Sequence, residues 1–330
     1  MGFLLAAALL LGAAAAIRPV RRPDPFYARN RELIRILKVQ DAQSAPGGLK
    51  YVVRGGGHLF YLEDLRAAVS KWPALEANAD IIAGLSQALR TSGVRLLVVP
   101  VPTKAETYPE LLGGPDVPDV SPSKDRFLER LRDRGVECLD LRAAFFAAKR
   151  SKRLFPRTDT HWDQDAILLA ADSIAARLGP GLPGSVLSGH AGPNASGGAM
   201  PVRSGFPVSD TVLAGFRGDL PRKFALPEND TIALRRVRTA QGGPYAEPDS
   251  ARVLLYGDSF LNQYKMYGAH LGAQLSRAIG EPVLTRYSIA GFTEGPKRIQ
   301  AMAEAMPGTR MAVWVFTSRT LMEAAGGGTE

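Results

Sequence analysis

Apolar positions along this chain change period repeatedly, and the changes divide it into strands and helices. Val94 to Val101 is a near-continuous apolar run, the kind of strand that is buried on both faces of a sheet. Residues 136–141, 252–257, 282–288 and 311–316 read the same way. Between them the spacing turns helical. Leu75, Ile81, Ile82, Leu85 and Leu89 form one stripe, closed by Gly93. Phe127, Leu128 and Leu131 form a second over 123–134, and Ile167, Leu168, Ala171, Ile174 and Leu178 a third over 163–178. Further helices are predicted near 26–42, 261–280 and 294–305, and residues 51–61 read as two short strands around a glycine turn. Alternating helices and apolar strands predict an α/β fold, a three-layer α/β/α sandwich with a parallel sheet.

Two regions break the rhythm. Across 179–250 glycine and proline recur and only 231–238 alternates like a strand, so this part is expected to be an insertion packed on the core. At the other break, Phe3 to Ile17 is an unbroken apolar run followed by Arg18, Arg21 and Arg22. That is short for a membrane span and near the length of a signal segment, with Ala13 to Ala16 offering a small-residue cleavage site. No basic residue precedes the run, and the charge placement alone favours the opposite orientation. The expected organisation is a signal peptide or membrane anchor plus linker at 1–25, one domain at 26–323, and a glycine-rich tail at 324–330 expected to be disordered.

Composition narrows the partners. With 45% hydrophobic and 22% charged residues the chain is ordinary globular material. Its formal charge of +9 suits an acidic partner, such as a uronic-acid polymer or anionic headgroups, unless it is only solvated surface. No basic block interleaved with aromatics appears, so nucleic acid is not the expected partner. The single cysteine, Cys138, lies in a strand-like stretch and reads as a small core residue.

The candidate chemistry sits in two segments. Tyr256-Gly-Asp-Ser-Phe260 follows an apolar strand, which places Ser259 at the carboxyl edge of a parallel sheet, where ligands bind. A serine nucleophile needs a base, and the chain has four histidines. His270 falls eleven residues after Ser259 on what reads as the same helix, roughly 16 Å along its axis and out of reach. His58 and His190 lie in glycine-rich turns. His161, in Thr158-Asp-Thr-His-Trp162, has Asp159 two residues before it, the spacing that suits a carboxylate holding an imidazole. A metal reading of Asp159 and His161 is open but has no further His/Cys cluster behind it, so no metal or other cofactor is expected.

These two segments, in this order, resemble the alginate O-acetyltransferase family of the SGNH-hydrolase superfamily. There the Asp-x-His pair precedes the Gly-Asp-Ser turn, the reverse of ordinary SGNH esterases. Gly56-Gly-His-Leu-Phe-Tyr61 resembles a Gly-Trp-Leu-Phe-Tyr segment of that family, with His58 in place of tryptophan. Pro100 to Lys104, Tyr108-Pro-Glu110, Gly218-Asp-Leu220 and Val313 to Arg319 resemble further stretches, so the likeness runs from about 50 to 320. The resemblance implies Ser259 as nucleophile, His161 as general base and Asp159 as its orienting acid. It implies the Ser259 N–H as one oxyanion donor and offers Gly291 as a second, while the asparagine of ordinary SGNH enzymes has no counterpart. Tyr264, Arg319, Lys104 and Trp162 are candidate substrate contacts, with core packing or solvated charge as equal alternatives. Asp258 is expected to shape the turn.

The implied activity is that of an exported polysaccharide O-acetyltransferase, periplasmic, secreted or anchored to the inner membrane. Its donor would be a membrane-bound O-acyltransferase and its acceptor a polysaccharide such as alginate. A carbohydrate acetyl esterase with the same three residues is the nearest alternative, and a polysaccharide-binding assembly protein with an idle triad is an alternative of another class.

Overall fold

A computed structural model of the chain describes residues 31–43, 51–69, 74–113, 122–179, 208–216, 218–219, 230–239, 241–289 and 292–322. The expected leader and linker, the tail, His190 and Gly291 lie outside the described residues.

The chain opens with α1 (Arg31–Gln43) and a hairpin of β1 (Tyr51–Arg54) and β2 (His58–Tyr61), then α2 (Leu62–Val69) and α3 (Leu75–Thr91). There follow β3 (Arg95–Val101), α4 (Lys104–Thr107), α5 (Pro122–Asp133), β4 (Glu137–Cys138), α6 (Arg142–Ala148) and α7 (Gln164–Leu178). A two-stranded antiparallel ribbon, β5 (Val208–Phe216) and β6 (Asp230–Val237), comes next. The last third contains β7 (Val253–Gly257), α8 (Leu271–Ile279), β8 (Val283–Tyr287), α9 (Glu294–Ala305) and β9 (Met311–Thr317).

Five strands form one parallel sheet in the order β4-β3-β9-β7-β8. Period-two alternation splits each long strand between two cores. Leu97, Val99, Leu255, Val313 and Val315 face a cluster built with α1, α2, α7 and α8. Leu96, Val98, Leu254, Trp314 and Phe316 face a cluster built with α3, α5 and α9. That is the three-layer sandwich the strand hydrophobicity predicts. The ribbon lays Ile232 and Leu234 onto the first of these cores and is pinned there by Gln274 Nε2, which donates to the Arg235 carbonyl at 2.6 Å.

Two sequence expectations fail: 231–238 is not the one strand within 179–250, because Val208–Phe216 pairs with it as β5, and a predicted helix is broken. The single helix read over 261–280 is two short 3₁₀ turns, Ser259–Asn262 and Lys265–Tyr267, followed by α8. The break is at Tyr264 and Gly268, whose φ values of 60° and 66° are left-handed and cannot continue a right-handed helix. His270 is therefore the residue ahead of α8 and shares no helix with Ser259; its Nε2 lies 3.2 Å from Glu247 Oε1.

Candidate active site

The position of Ser259 follows from the end of β7. Gly257 passes so close to β9 that a Cβ there would overlap the Val315 carbonyl oxygen. Asp258 then does two things. Its Oδ1 accepts the Phe260 N–H at 3.0 Å, starting the 3₁₀ turn. Its Oδ2 accepts the Thr317 N–H at 2.8 Å and the Thr317 hydroxyl at 3.1 Å, tying the turn to the end of β9. Asp258 thus shapes the turn. Ser259 is left at the carboxyl edge of the sheet.

His161 reaches it from an irregular segment ahead of α7. Its Nε2 is 2.8 Å from Ser259 Oγ, and its Nδ1 is 2.8 Å from Asp159 Oδ1. A carboxylate only accepts, so Nδ1 carries the proton and Nε2 presents its lone pair to the hydroxyl. Asp159 Oδ1 also accepts the His161 backbone N–H at 2.7 Å, closing the loop on itself. Asp159 is 1% exposed. The Phe260 ring lies against the imidazole, centroids 4.9 Å apart.

A second carboxylate faces this pair. Asp219, just past the end of β5, donates its backbone N–H to Asp159 Oδ2 at 3.0 Å. Its side chain accepts the Thr160 N–H at 2.8 Å and the Thr160 hydroxyl at 2.7 Å, and its Oδ2 lies 3.8 Å from His161 Nδ1. Gly218 lets the two segments meet, because a Cβ there would overlap the Thr158 carbonyl. Sequence reasoning noted Gly218-Asp-Leu220 only as a matching stretch; it gave Asp219 no role. Asp219 is also the third donor that the metal reading lacked, within 4.8 Å of the other two. The donor atoms of Asp159 and Asp219 are nonetheless already engaged with backbone and hydroxyl partners, so the cluster reads as a hydrogen-bond network.

The electrostatics follow from burial against charge. Burial opposes an imidazolium, but the Asp159 charge and hydrogen bond, with Asp219 behind, outweigh it and raise the His161 pKa. Burial likewise opposes the Asp159 carboxylate, and the His161 interactions overcome it and hold its pKa below the usual value. Burial and then the neighbouring Asp159 charge push the Asp219 pKa up.

Two of the candidate substrate contacts are interior. Lys104 is 1% exposed, and its Nζ donates to the carbonyls of Leu59 (2.9 Å), Pro156 (2.6 Å) and Arg157 (2.6 Å), with that of Asp159 at 3.4 Å. It clamps the base's loop from below. A capping box between Thr103 and Glu106 aims it there, and Glu106 is itself buried against Lys124 Nζ at 3.0 Å. Burial draws the Lys104 pKa down to about 7 against the pull of Asp159, Asp219 and Asp64. Trp162 is fully buried, and its Nε1–H donates to the Phe260 carbonyl at 3.0 Å, a strut from the base's segment to the nucleophile's turn. Both residues are corrected from contacts to supports, because neither side chain meets solvent.

The other candidates divide. Tyr264 is buried, its hydroxyl 3.3 Å from Asp163 Oδ1, and it borders a recess shared with Phe216 and Lys265 on the flank of the site. Arg319 lines a cavity of about 200 Å³ that opens beside Ser259, together with Tyr256, Phe292, Trp314 and Phe316. Its guanidinium donates to Asp64 Oδ1 at 2.6 Å and lies 5.6 Å from the centroids of Tyr61 and Phe260. Asp64, a charged residue on a short helix, carries no sequence signal that it would be buried. His58 is the first residue of β2 and not in the turn the sequence suggests; it is half-buried, with its pKa lowered to about 4 by burial and by Lys104 and Arg157.

A parallel α/β/α sandwich presenting serine, histidine and aspartate in this relation at its carboxyl edge has the architecture of SGNH-type proteins. Residues 52–311 match the family described as SGNH hydrolase-like domain, acetyltransferase AlgX, and the chain belongs to that family. Among curated proteins it is 35% identical over 129 residues to the probable alginate O-acetylase AlgJ of Pseudomonas aeruginosa, covering 39% of this chain and 32% of that one. The protein of the same description from Azotobacter vinelandii is 23% identical over 290 residues, covering 82% and 69%. The chain spans about a third of the length of the Pseudomonas relatives it matches. Among solved structures, the O-acetyltransferase domain of Pseudomonas putida AlgJ superposes with a TM-score of 0.62 at 23% identity, over 82% of this chain and 92% of that one. At that identity the likeness is one of fold.

Proposed function

We propose that the protein is an exported polysaccharide O-acetyltransferase that works through an acetyl-serine intermediate. The observation that carries this reading is the hydrogen-bonded line from Ser259 Oγ through the His161 ring to Asp159. In the first step His161 Nε2 takes the Ser259 proton as Oγ attacks the donor's acetyl carbonyl. The tetrahedral oxyanion is stabilised by the Ser259 backbone N–H at the start of its turn. As the intermediate collapses, His161 Nε2 gives that proton to the donor's leaving group, which departs and leaves the ring neutral on an acetylated Ser259. A sugar hydroxyl then gives its proton to His161 Nε2, attacks the acetyl carbon, and leaves with the acetyl group as Ser259 recovers its proton. Asp159 stabilises the imidazolium in both halves.

Relatives named as alginate O-acetylases favour an acidic exopolysaccharide such as alginate as acceptor, and the net charge of +9 agrees with a polyanion. The apolar run at 3–17 suits export, after which a membrane-bound O-acyltransferase supplies the acetyl group, because acetyl-CoA is a cytoplasmic donor. Among the described residues no helix is long and apolar enough to cross a membrane.

The test uses an activated acetyl ester with and without oligosaccharide. Mass spectrometry is expected to find one acetyl group on the Ser259 peptide, and added alginate oligomer is expected to receive it. Release that ignores the acceptor, with no acetylated sugar, identifies an esterase. Absence of any adduct, together with acetylation in cells that survives Ser259→Ala, identifies a binding role.

A further inference from the structure

The Ser259–His161–Asp159 line does not account for the second carboxylate of the site. Asp219 arrives from a different part of the chain, and its contacts are more than incidental. Its backbone N–H takes the Asp159 oxygen that His161 does not use. Both of its carboxylate oxygens accept from Thr160, the residue between Asp159 and His161. Three of the hydrogen bonds that hold the irregular segment 159–161 therefore come from this one residue. The close seating of Gly218 on Thr158 removes any slack in the arrangement.

We propose that Asp219 is a positioning residue for the base: it locks the Asp159–Thr160–His161 segment in register with Ser259, and its carboxylate adds a second negative charge 3.8 Å from the ring nitrogen. This rests on the acyl-transfer reading of Ser259 and His161. The charges that face the imidazole are Asp159 on its own segment, Asp219 beyond β5, and Arg319 beyond β9, which opposes them. Asp64 on α2 and Lys104 on α4 stand behind these, Asp64 coupled to Arg319 and Lys104 to the two aspartates. Among these groups Asp219 is the most open, at 34% side-chain exposure against 22% for Arg319 and 1% for Asp159, so it is where solvent or an acceptor can most readily alter the field at the ring.

Two variants separate position from charge. Asp219→Asn keeps the shape, the backbone N–H and an acceptor for the Thr160 amide, but removes the charge. It is expected to lower the acid limb of the pH profile for acylation by an activated acetyl ester by roughly one pH unit, with the alkaline plateau nearly kept. Asp219→Ala loses both Thr160 hydrogen bonds and is expected to cut the plateau itself by roughly a hundredfold, with KM for the ester little changed. The same displacement should appear in an NMR titration of the His161 ring in wild type and Asp219→Asn, a readout that needs no turnover. Superimposable His161 titrations, or an Asp219→Ala enzyme with a wild-type plateau, would overturn the proposal. A wild-type protein that forms no acetyl-Ser259 overturns the parent reading instead, and the titration still decides whether Asp219 sets the field at the ring.

Discussion

The two sides of the Ser259–His161 contact are built on opposite principles. Ser259 is delivered by regular structure: a buried strand, a glycine that clears its neighbour, and an aspartate that caps its own turn and grips β9. The residues that hold it lie in or beside the sheet. His161 is delivered by a segment with no regular structure, and what holds it comes from far along the chain: Lys104 from below, Asp219 from the connection between the ribbon's two strands, and Phe260 through Trp162. A nucleophile at a strand end needs little help. A base on a loop is only as well placed as its distant supports, and these are buried polar contacts whose loss is costly.

That contrast can be broken experimentally, beginning with the largest effect. Asp159→Asn should leave the fold intact but reduce acetyl transfer by roughly 10⁴-fold, because the amide supports the wrong imidazole tautomer; steady-state rates with an activated ester check this. Lys104→Met should lower unfolding free energy in urea by about 3 kcal/mol or more, since it strands several buried carbonyls, and should impair acylation in the surviving folded protein. On the Ser259 side, Asp258→Ala should cost less, about 2 kcal/mol, as a lost cap and a stranded Thr317 N–H beside intact strand pairing. An equal or larger loss there would remove the distinction between the two sides. The smallest effect is a displacement in pH. The base works neutral, and its partners raise its pKa, so the rate should fall with acid at a midpoint above the ordinary histidine value of about 6.5.

The same asymmetry decides what could be read in the sequence. The three inner strands, β3, β7 and β9, announce themselves through runs of apolar residues, because burial on both faces leaves no other composition, whereas the edge strand β4 is only the half-buried pair Glu137–Cys138. Ser259 was legible for the same reason, as the hydroxyl after a strand. His161 and Asp159 were legible through their two-residue spacing, which suffices for the carboxylate to meet both the ring and the backbone N–H. Lys104 misled, because a lysine near a site suggests a ligand contact, and only the three-dimensional convergence of Leu59, Pro156 and Arg157 shows where its amine goes. Asp219 was silent because its hydrogen bonds span about sixty positions. The helix misread over 261–280 failed at Tyr264, a non-glycine residue with positive φ that composition does not flag.

Gly218 carries one more implication, for anyone who would recombine this protein with its relatives. Main chain rests directly on main chain at the Thr158 seam, so the ribbon is not an interchangeable cassette. A chimera that imports the hairpin from another member inherits a working base only when its splice keeps the bare Cα at that junction. Libraries built by shuffling should place their crossovers on the far side of it.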